Sequence, residues 1–246
     1  NFKELNCYVK IFIVKKIFPF YNFILKKRES DLSIDKNIID AYTKRYKKFG
    51  ATPKGSFWVS KRRQYKRFEI ILKEIRKIAN SSHRIKLADI GCGYGAMADY
   101  LISINEINQY NYQGLDISPI LIEQCNKRFS HPNISFSLGK NPNTLCMFTI
   151  MSGTYNLSMT RDVLEWEEYF FKCLSECWKF TSEAMIFNLQ VSNQQRVSDN
   201  NIYFAEPSRV IDRCVSYFGP TRTVKSEDLP EDITFTVVNS NHLNSA

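Results

Sequence analysis

Residues 87–95 read Leu-Ala-Asp-Ile-Gly-Cys-Gly-Tyr-Gly, a short apolar strand that runs into a glycine-rich turn. The next segment, residues 96–104, is mostly apolar and predicts a helix. Gly91, Gly93 and Gly95 let the backbone turn sharply and leave room for a ligand, because glycine has no Cβ atom. Such a strand-turn-helix unit aims backbone N–H groups and the positive end of the helix at a polar or anionic ligand group.

Two acidic residues near this turn indicate what it binds. Asp116 lies 25 residues past Gly91, at the predicted end of the next strand, where a carboxylate can accept hydrogen bonds from both hydroxyls of a ribose. Asp89 would repel a pyrophosphate but can pair with the amino group of a methionine moiety. It therefore disfavours a dinucleotide site, although the segment from Gly91 to Ala96 satisfies that fingerprint. A glycine turn without a ligand is the remaining, weaker alternative.

Strands and helices alternate along most of the chain. Apolar spacing predicts helices over residues 35–49 and from Ser60 onward, where serine is a suitable N-cap. The pattern then predicts strands at residues 87–90, 112–117, 134–138, 146–151, 184–189 and 233–238, and helices at residues 96–104, 118–129, 162–180 and 208–218. This alternation predicts an α/β fold with a doubly wound, mostly parallel sheet and an N-terminal helical extension.

Charge is distributed unevenly over the 246 residues. The net charge is +9, yet residues 1–86 hold 23 Lys and Arg against 7 Asp and Glu, and the remainder is acidic. A basic region of this kind indicates RNA or an anionic membrane surface as a partner, with a solvated basic face as the alternative. Residues 7–25 are apolar but too often interrupted by lysine for a membrane span, and can form an interfacial helix or pack on the domain.

These patterns suggest a domain division and a cellular location. Residues 1–34 are a basic amphipathic extension, and residues 35–246 are the main domain, with a helical lead-in to residue 82 and a Rossmann-like core over residues 83–246. The seven cysteines form no C-x-x-C pair, which predicts no disulfide framework and no metal site. We expect a cytoplasmic protein, with peripheral membrane attachment as an open alternative.

The sequence resembles the class I S-adenosylmethionine-dependent methyltransferases over roughly residues 36–240. Residues 87–95 look like the family's first motif, and residues 114–118, Gly-Leu-Asp-Ile-Ser, like its second. The chain is more narrowly similar to a poorly characterised bacterial subgroup. The segments that carry this similarity are residues 46–54, 152–156, 187–189 and 203–207. The resemblance implies a seven-stranded type of sheet, S-adenosylmethionine as cofactor and methyl transfer as the reaction.

The resemblance also implies roles for particular residues. The expected cofactor-binding residues are Asp89, Gly91, Cys92, Gly93, Tyr94 and Gly95 at the methionine end, Asp116 at the ribose, Ile117 at the adenine, and Ser152 near the reacting methyl group. Trp58 and Gln64 are expected to close over the cofactor. Tyr155 and Asn156 are the candidate catalytic residues on the acceptor side, and Tyr203 and Glu206 are the candidate substrate contacts. Each can instead be a structural residue.

The sequence departs from the family at two strand ends. An acidic residue that meets the adenine amino group is usual after the third strand, where this chain has Ser-Leu-Gly-Lys at residues 137–140. An aspartate commonly opens the fourth strand, where this chain reads Leu-Cys-Met-Phe at residues 145–148. We therefore expect backbone groups to recognise the adenine.

Three functions compete at this point. The leading hypothesis is methylation of a small molecule or of a glycan- or lipid-linked acceptor. The second is an RNA methyltransferase, because residues 61–67, Lys-Arg-Arg-Gln-Tyr-Lys-Arg, mix basic and aromatic side chains. The third is a cofactor-binding domain without catalysis.

Overall fold

The computed structural model describes residues 27–58, 60–79 and 83–240 of the chain. The apolar stretch of residues 7–25, with its predicted contact to a membrane or RNA, lies outside the described residues. The chain separates into two units, Asn1–Ile38 and Ile39–Ala246, and the site described below lies wholly within the second. Within the described ranges we find no helix that combines the length and the apolar character needed to span a bilayer.

Two helices precede the sheet, as the apolar spacing predicts. Helix α1 spans residues 27–49, so it begins before residue 35 and contains the predicted domain boundary. Helix α2 spans Lys61–Ile78. The Ser60 hydroxyl accepts a hydrogen bond from the backbone N–H of Arg63, which confirms Ser60 as the N-cap. α2 buries an apolar stripe against the sheet, consisting of Phe68, Ile71, Leu72 and Ile75.

A mostly parallel sheet forms the centre of the molecule. Its strands within the described residues are β1 (Ile85–Ile90), β2 (Tyr110–Asp116), β3 (Ile134–Leu138), β4 (Cys146–Ser152), β5 (Thr181–Val191), β6 (Arg196–Val197), β7 (Tyr203–Ala205), β8 (Thr221–Ser226) and β9 (Leu229–Val238). Strands β3, β2, β1, β4 and β5 are parallel neighbours in that order, and β9 runs antiparallel between β5 and β8. This arrangement confirms the predicted doubly wound sheet.

The crossover helices agree with the sequence prediction to within two residues. They are α3 (Ala96–Ser103), α4 (Pro119–Arg128), α5 (Val163–Trp178) and α6 (Pro207–Tyr217). The chain order reverses between β1 and β4, which pair directly through Leu87 and Phe148. In sheets of this kind ligands bind at such a switch point, beyond the carboxyl ends of the strands.

Three strands, β6, β7 and β8, were not predicted from the sequence. β5 extends beyond the end of β4, and its last residues, Gln190 and Val191, pair with β7. β7 forms a hairpin with β6, and a single bridge joins Leu157 to Ile202. β8, which pairs with β9, was also missed. The hairpin and the loop after β4 together build a wall beside the switch point. We call Leu157, Gln190 and Ile202 the acceptor wall.

Candidate cofactor and acceptor site

The glycine turn after β1 has the conformation that its sequence requires. Gly91, Gly93 and Gly95 have φ angles of 71°, 58° and 81°, in the left-handed region that favours glycine. The N–H groups of Gly91 and Cys92 both donate to the carbonyl of Leu115, at 2.7 and 3.0 Å, which fixes the turn against the end of β2. A Cβ atom at Gly91 would lie 2.5 Å from the Thr154 methyl group, so a side chain there requires movement.

Asp116 joins the turn to the start of α4. One carboxylate oxygen accepts the N–H of Gly93 at 3.0 Å, and the other accepts the N–H of Ser118 at 2.8 Å. Burial raises the pKa of Asp116 above its usual value, although these backbone donors oppose the rise. The carboxylate therefore shapes the turn itself, and each oxygen keeps a further lone pair for another donor.

Asp89 is buried at the end of β1, with only 4% of its surface exposed. Its carboxylate accepts a hydrogen bond of 2.6 Å from the Tyr112 hydroxyl. Burial is the main cause that raises the pKa of Asp89 to about 7, and the negative charge of Asp116 adds to the rise. A cationic ligand group beside Asp89 would favour the ionised carboxylate and reverse that shift.

A cavity opens directly beside the turn. Nine residues predicted from the sequence line it: Trp58, Gln64, Asp89, Gly91, Cys92, Gly93, Tyr94, Ser152 and Asn156. Gly95, Asp116 and Ile117 do not line it. Gly95 precedes the first residue of α3, and Asp116 accepts a hydrogen bond from the turn at Gly93.

The polar groups of this cavity fit a polar ligand. The hydroxyl oxygens of Ser56 and Ser152 are buried, and neither has a hydrogen-bond partner among the described residues. A Cβ atom at Gly93 would lie 3.4 Å from the Ser56 hydroxyl, so the glycine keeps the backbone open to this side. Two unsatisfied hydroxyls, an acidic group and the turn backbone that lines the cavity match the hydrogen-bonding groups of an adenosyl amino acid.

The residues before the sheet close one side of the cavity. The Tyr94 hydroxyl donates to the Gln64 side chain at 2.7 Å, which links α2 to the glycine turn. The Arg67 guanidinium lies 4.5 Å from the centre of the Trp58 ring, and both side chains approach the backbone of Gly153. Trp58 and Gln64 both line the cavity, and their expected closure over the cofactor stays a prediction.

Several residues of the site were not recognised from the sequence. The Thr154 hydroxyl donates to the Ile90 carbonyl at 2.7 Å, and the Asn188 side chain accepts the N–H of Gly153 at 2.9 Å. Arg67 forms a buried ion pair with Asp232, with its Nε 3.1 Å from Oδ2. Asn188 belongs to the Phe-Asn-Leu strand end that carried the family resemblance. The Arg67–Asp232 pair has no sequence signal, because the two residues are 165 positions apart.

The two candidate catalytic residues, Tyr155 and Asn156, make structural contacts. Tyr155 is 5% exposed, packs against Phe170 and does not line the cavity, which corrects its assignment as a catalytic residue. Asn156 lines the cavity, but its side-chain oxygen accepts the N–H of Gln190 at 3.1 Å. Its carbonyl accepts the N–H of Tyr203. Asn156 therefore ties the loop after β4 to the acceptor wall.

The two candidate substrate contacts lie elsewhere, and the structure corrects both. Tyr203 is fully buried, and its hydroxyl donates to Glu167 at 3.0 Å. Glu206 precedes α6 and accepts a hydrogen bond from the Ser208 hydroxyl, and it does not line the cavity. Glu167 of α5 is buried and also pairs with Arg209. The hairpin therefore directs the Tyr203 side chain into the protein, whereas Glu206 stays partly exposed.

The basic run of residues 61–67 is largely paired with acidic residues of the same chain. Arg62 and Lys66 lie 3.1 and 3.0 Å from the carboxylate of Asp228. Arg63 and Arg67 both face Asp232. The run is thus not a row of free cations, which removes the observation that favoured a phosphate-binding surface there. Across the described ranges, we find no group of three or more His, Cys, Asp or Glu residues that could hold a metal ion.

Comparison with known proteins agrees with this geometry. Residues 88–184 match a family described as a methyltransferase domain. Rv1506c of Mycobacterium tuberculosis, a proposed methyltransferase, is 26% identical over 141 residues, which make up 56% of this chain and 83% of that protein. A solved S-adenosylmethionine-dependent methyltransferase of Leishmania major has a TM-score of 0.61 at 13% identity, covering 80% of this chain and 81% of that chain. Magnesium protoporphyrin IX methyltransferase of Synechocystis, solved with bound S-adenosylhomocysteine, has a TM-score of 0.53 at 11% identity, covering 73% and 83%.

The matched residues include the end of β1, the glycine turn and β4, which contribute Asp89, Gly91 and Ser152 to the lining of the cavity. The fold of the chain is similar to the folds of these solved structures. The protein is therefore an enzyme with a methyltransferase domain over residues 88–184, and its fold is that of the solved S-adenosylmethionine-dependent methyltransferases.

Proposed function

We propose that this methyltransferase uses S-adenosylmethionine as its cofactor. Its methyl acceptor would be a small molecule, or a glycan- or lipid-linked group, that enters the cavity between the glycine turn and the acceptor wall. The observation that carries the proposal is the position of Ser152. Its unpartnered hydroxyl lines the same cavity as Leu157, Gln190 and Ile202. A ligand bound at the turn and a second molecule at the wall would therefore meet beside Ser152.

The residues of the turn would hold the cofactor. Asp89 would pair with the amino group of its methionine end, and the backbone of Gly91 and Gly93 would approach it closely. Asp116 would accept hydrogen bonds from the ribose with the lone pairs that the turn leaves free, and Ile117 would contact the adenine. These assignments rest on side-chain chemistry and on position beside the turn.

Methyl transfer requires little more from the chain than alignment of the cofactor with the methyl acceptor. The cofactor supplies a methyl group on a cationic sulfur. Holding two reactants in line can contribute about 7–11 kcal/mol of the barrier. Trp58, packed on Arg67, and Gln64, bonded to Tyr94, would exclude water from the cavity. The acceptor wall would limit the directions from which a nucleophile can approach.

A transfer assay tests the acceptor class. The protein is incubated with methyl-labelled S-adenosylmethionine and, separately, with a small-molecule extract, a lipid extract and bulk RNA from bacteria. We expect label in the small-molecule or the lipid fraction. Label in RNA alone would overturn the proposal and leave the RNA hypothesis. Gly91→Val serves as the transfer-deficient control, because its side chain would collide with Thr154.

A further inference from the structure

Two arginines share one aspartate at the wall of the cavity. Arg67 binds both oxygens of Asp232, with Nη2 2.5 Å from Oδ1 and Nε 3.1 Å from Oδ2. Arg63 reaches the same carboxylate only at 3.9 Å. Both arginines line the cavity. Within the described part of the chain, no other carboxylate lies within 4.0 Å of either guanidinium.

The group formed by Arg63, Arg67 and Asp232 therefore carries a net positive charge. Arginine stays protonated in proteins, so two positive charges face one negative charge. Arg67 is buried and uses Asp232 fully, and the presence of Arg63 lowers the pKa of Arg67 further, after the larger effect of burial. The side chain of Arg63 keeps 36% of its surface exposed. It is the guanidinium that can still bind a ligand.

The backbone adds to this positive potential. Arg63 and Gln64 belong to the first turn of α2, an 18-residue helix with no acidic residue in its first turn. The N-terminal end of a helix carries a partial positive charge, and here its first turn borders the cavity.

Two carboxylates, Asp89 and Glu231, also line the cavity and oppose the positive charge of Arg63. Asp89 lies at the end of β1, where it is engaged by Tyr112 on the cofactor side. Glu231 is exposed, so solvent screens its charge. Neither lies within ion-pair distance of Arg63. Aromatic side chains also line the cavity, among them Tyr42, Phe57 and Trp58, and Trp58 packs on Arg67 of α2.

We infer that the methyl acceptor is an anion, whose carboxylate or phosphate group is bound by Arg63 while its apolar body lies against Trp58 and Phe57. This inference rests on the proposed function, since it places the acceptor in the same cavity. Arg63 would act as a specificity-determining residue, because it holds the acid group away from the transfer site and thereby orients the rest of the acceptor.

Binding to the cofactor-product complex tests this inference. The protein is first saturated with S-adenosylhomocysteine, and then titrated calorimetrically with benzoate, phenyl phosphate and benzamide. We expect at least one anion to bind about tenfold or more tightly than benzamide, the effect of a hydrogen bond to a charged group. Tighter binding of benzoate would identify a carboxylate as the preferred group of the acceptor, and tighter binding of phenyl phosphate would identify a phosphate.

Three variants at two positions on the same helix turn provide the comparison. Arg63→Gln should abolish the preference for the anion, and Arg63→Lys should retain part of it. Arg62→Gln removes the same charge from a side chain that does not line the cavity, and should bind the anions as the wild type does. An anion that binds no better than benzamide, or that binds Arg63→Gln unchanged, overturns the inference alone. If S-adenosylhomocysteine itself does not bind, the proposed function fails first and the inference falls with it.

Discussion

The two sides of the cavity are built in different ways. On the cofactor side, the decisive contacts join nearby parts of the sequence: Gly93 to Asp116, 23 residues apart, and Tyr112 to Asp89, also 23 apart. On the acceptor side, Arg67 binds Asp232 across 165 residues, and Asn156 binds Gln190 across 34. A contiguous motif therefore specifies the cofactor side, whereas distant segments assemble the acceptor side.

The largest effect is expected on the acceptor side, from Arg67→Met. It would leave Asp232 buried with only the distant Arg63 as a partner, and breaking a buried pair costs about 3–5 kcal/mol of unfolding free energy. Urea denaturation measures this loss. The double variant Arg67→Met, Asp232→Leu should recover most of it. Arg62→Gln, which breaks an exposed pair, should cost less than about 1 kcal/mol. Equal losses of unfolding free energy in Arg67→Met and Arg62→Gln would contradict the difference between the buried and the exposed ion pair.

On the cofactor side, Gly91→Ala tests the backbone of the turn. The new side chain must adopt a φ near +71° and would lie 2.5 Å from the Thr154 methyl group. Left-handed strain and overpacking together predict a loss of about 2–4 kcal/mol in unfolding free energy. Adding Thr154→Ala should restore only the overpacking part. A variant as stable as the wild type would show that the turn is not under this constraint.

The sequence predicted the cofactor side better than the acceptor side for this reason. Gly91, Asp89 and Asp116 carry their signal in the spacing along the chain. The hairpin of β6 and β7 has strands of two and three residues, too short to show a period, and its pairing partner is the overhang of β5. Tyr203 was misjudged as a substrate contact because this hairpin buries it. Arg67 was taken for a surface cation because its partner is far along the chain.

Asp116→Ala should have an intermediate effect. We expect it to weaken binding of S-adenosylhomocysteine by about 1.5–3 kcal/mol, the usual contribution of hydrogen bonds to a charged group. Calorimetry gives the affinity. The variant also frees the N–H groups of Gly93 and Ser118, so thermal unfolding is measured alongside. Unchanged affinity would show that Asp116 supports neither the turn nor the ribose.

The smallest effect is the pH dependence from Asp89. Because burial raises its pKa to about 7, the folded protein retains a proton that the unfolded chain releases. Its stabilising contribution is complete below pH 3.8 and is lost as the pH rises through 7. Binding has the opposite slope, because only the ionised carboxylate pairs with an amino group. We expect the affinity for S-adenosylhomocysteine to rise about tenfold from pH 6 to pH 8, and that of Asp89→Asn to remain flat. A matching rise in the variant would contradict the role of Asp89.

Ligand discrimination at the glycine turn tests the central claim most directly. Calorimetry on the purified protein compares S-adenosylmethionine, S-adenosylhomocysteine and NAD under identical conditions. Asp89 beside the turn predicts binding of both adenosyl compounds and no measurable heat from NAD. Binding of NAD, with no heat from either adenosyl compound, would contradict the account.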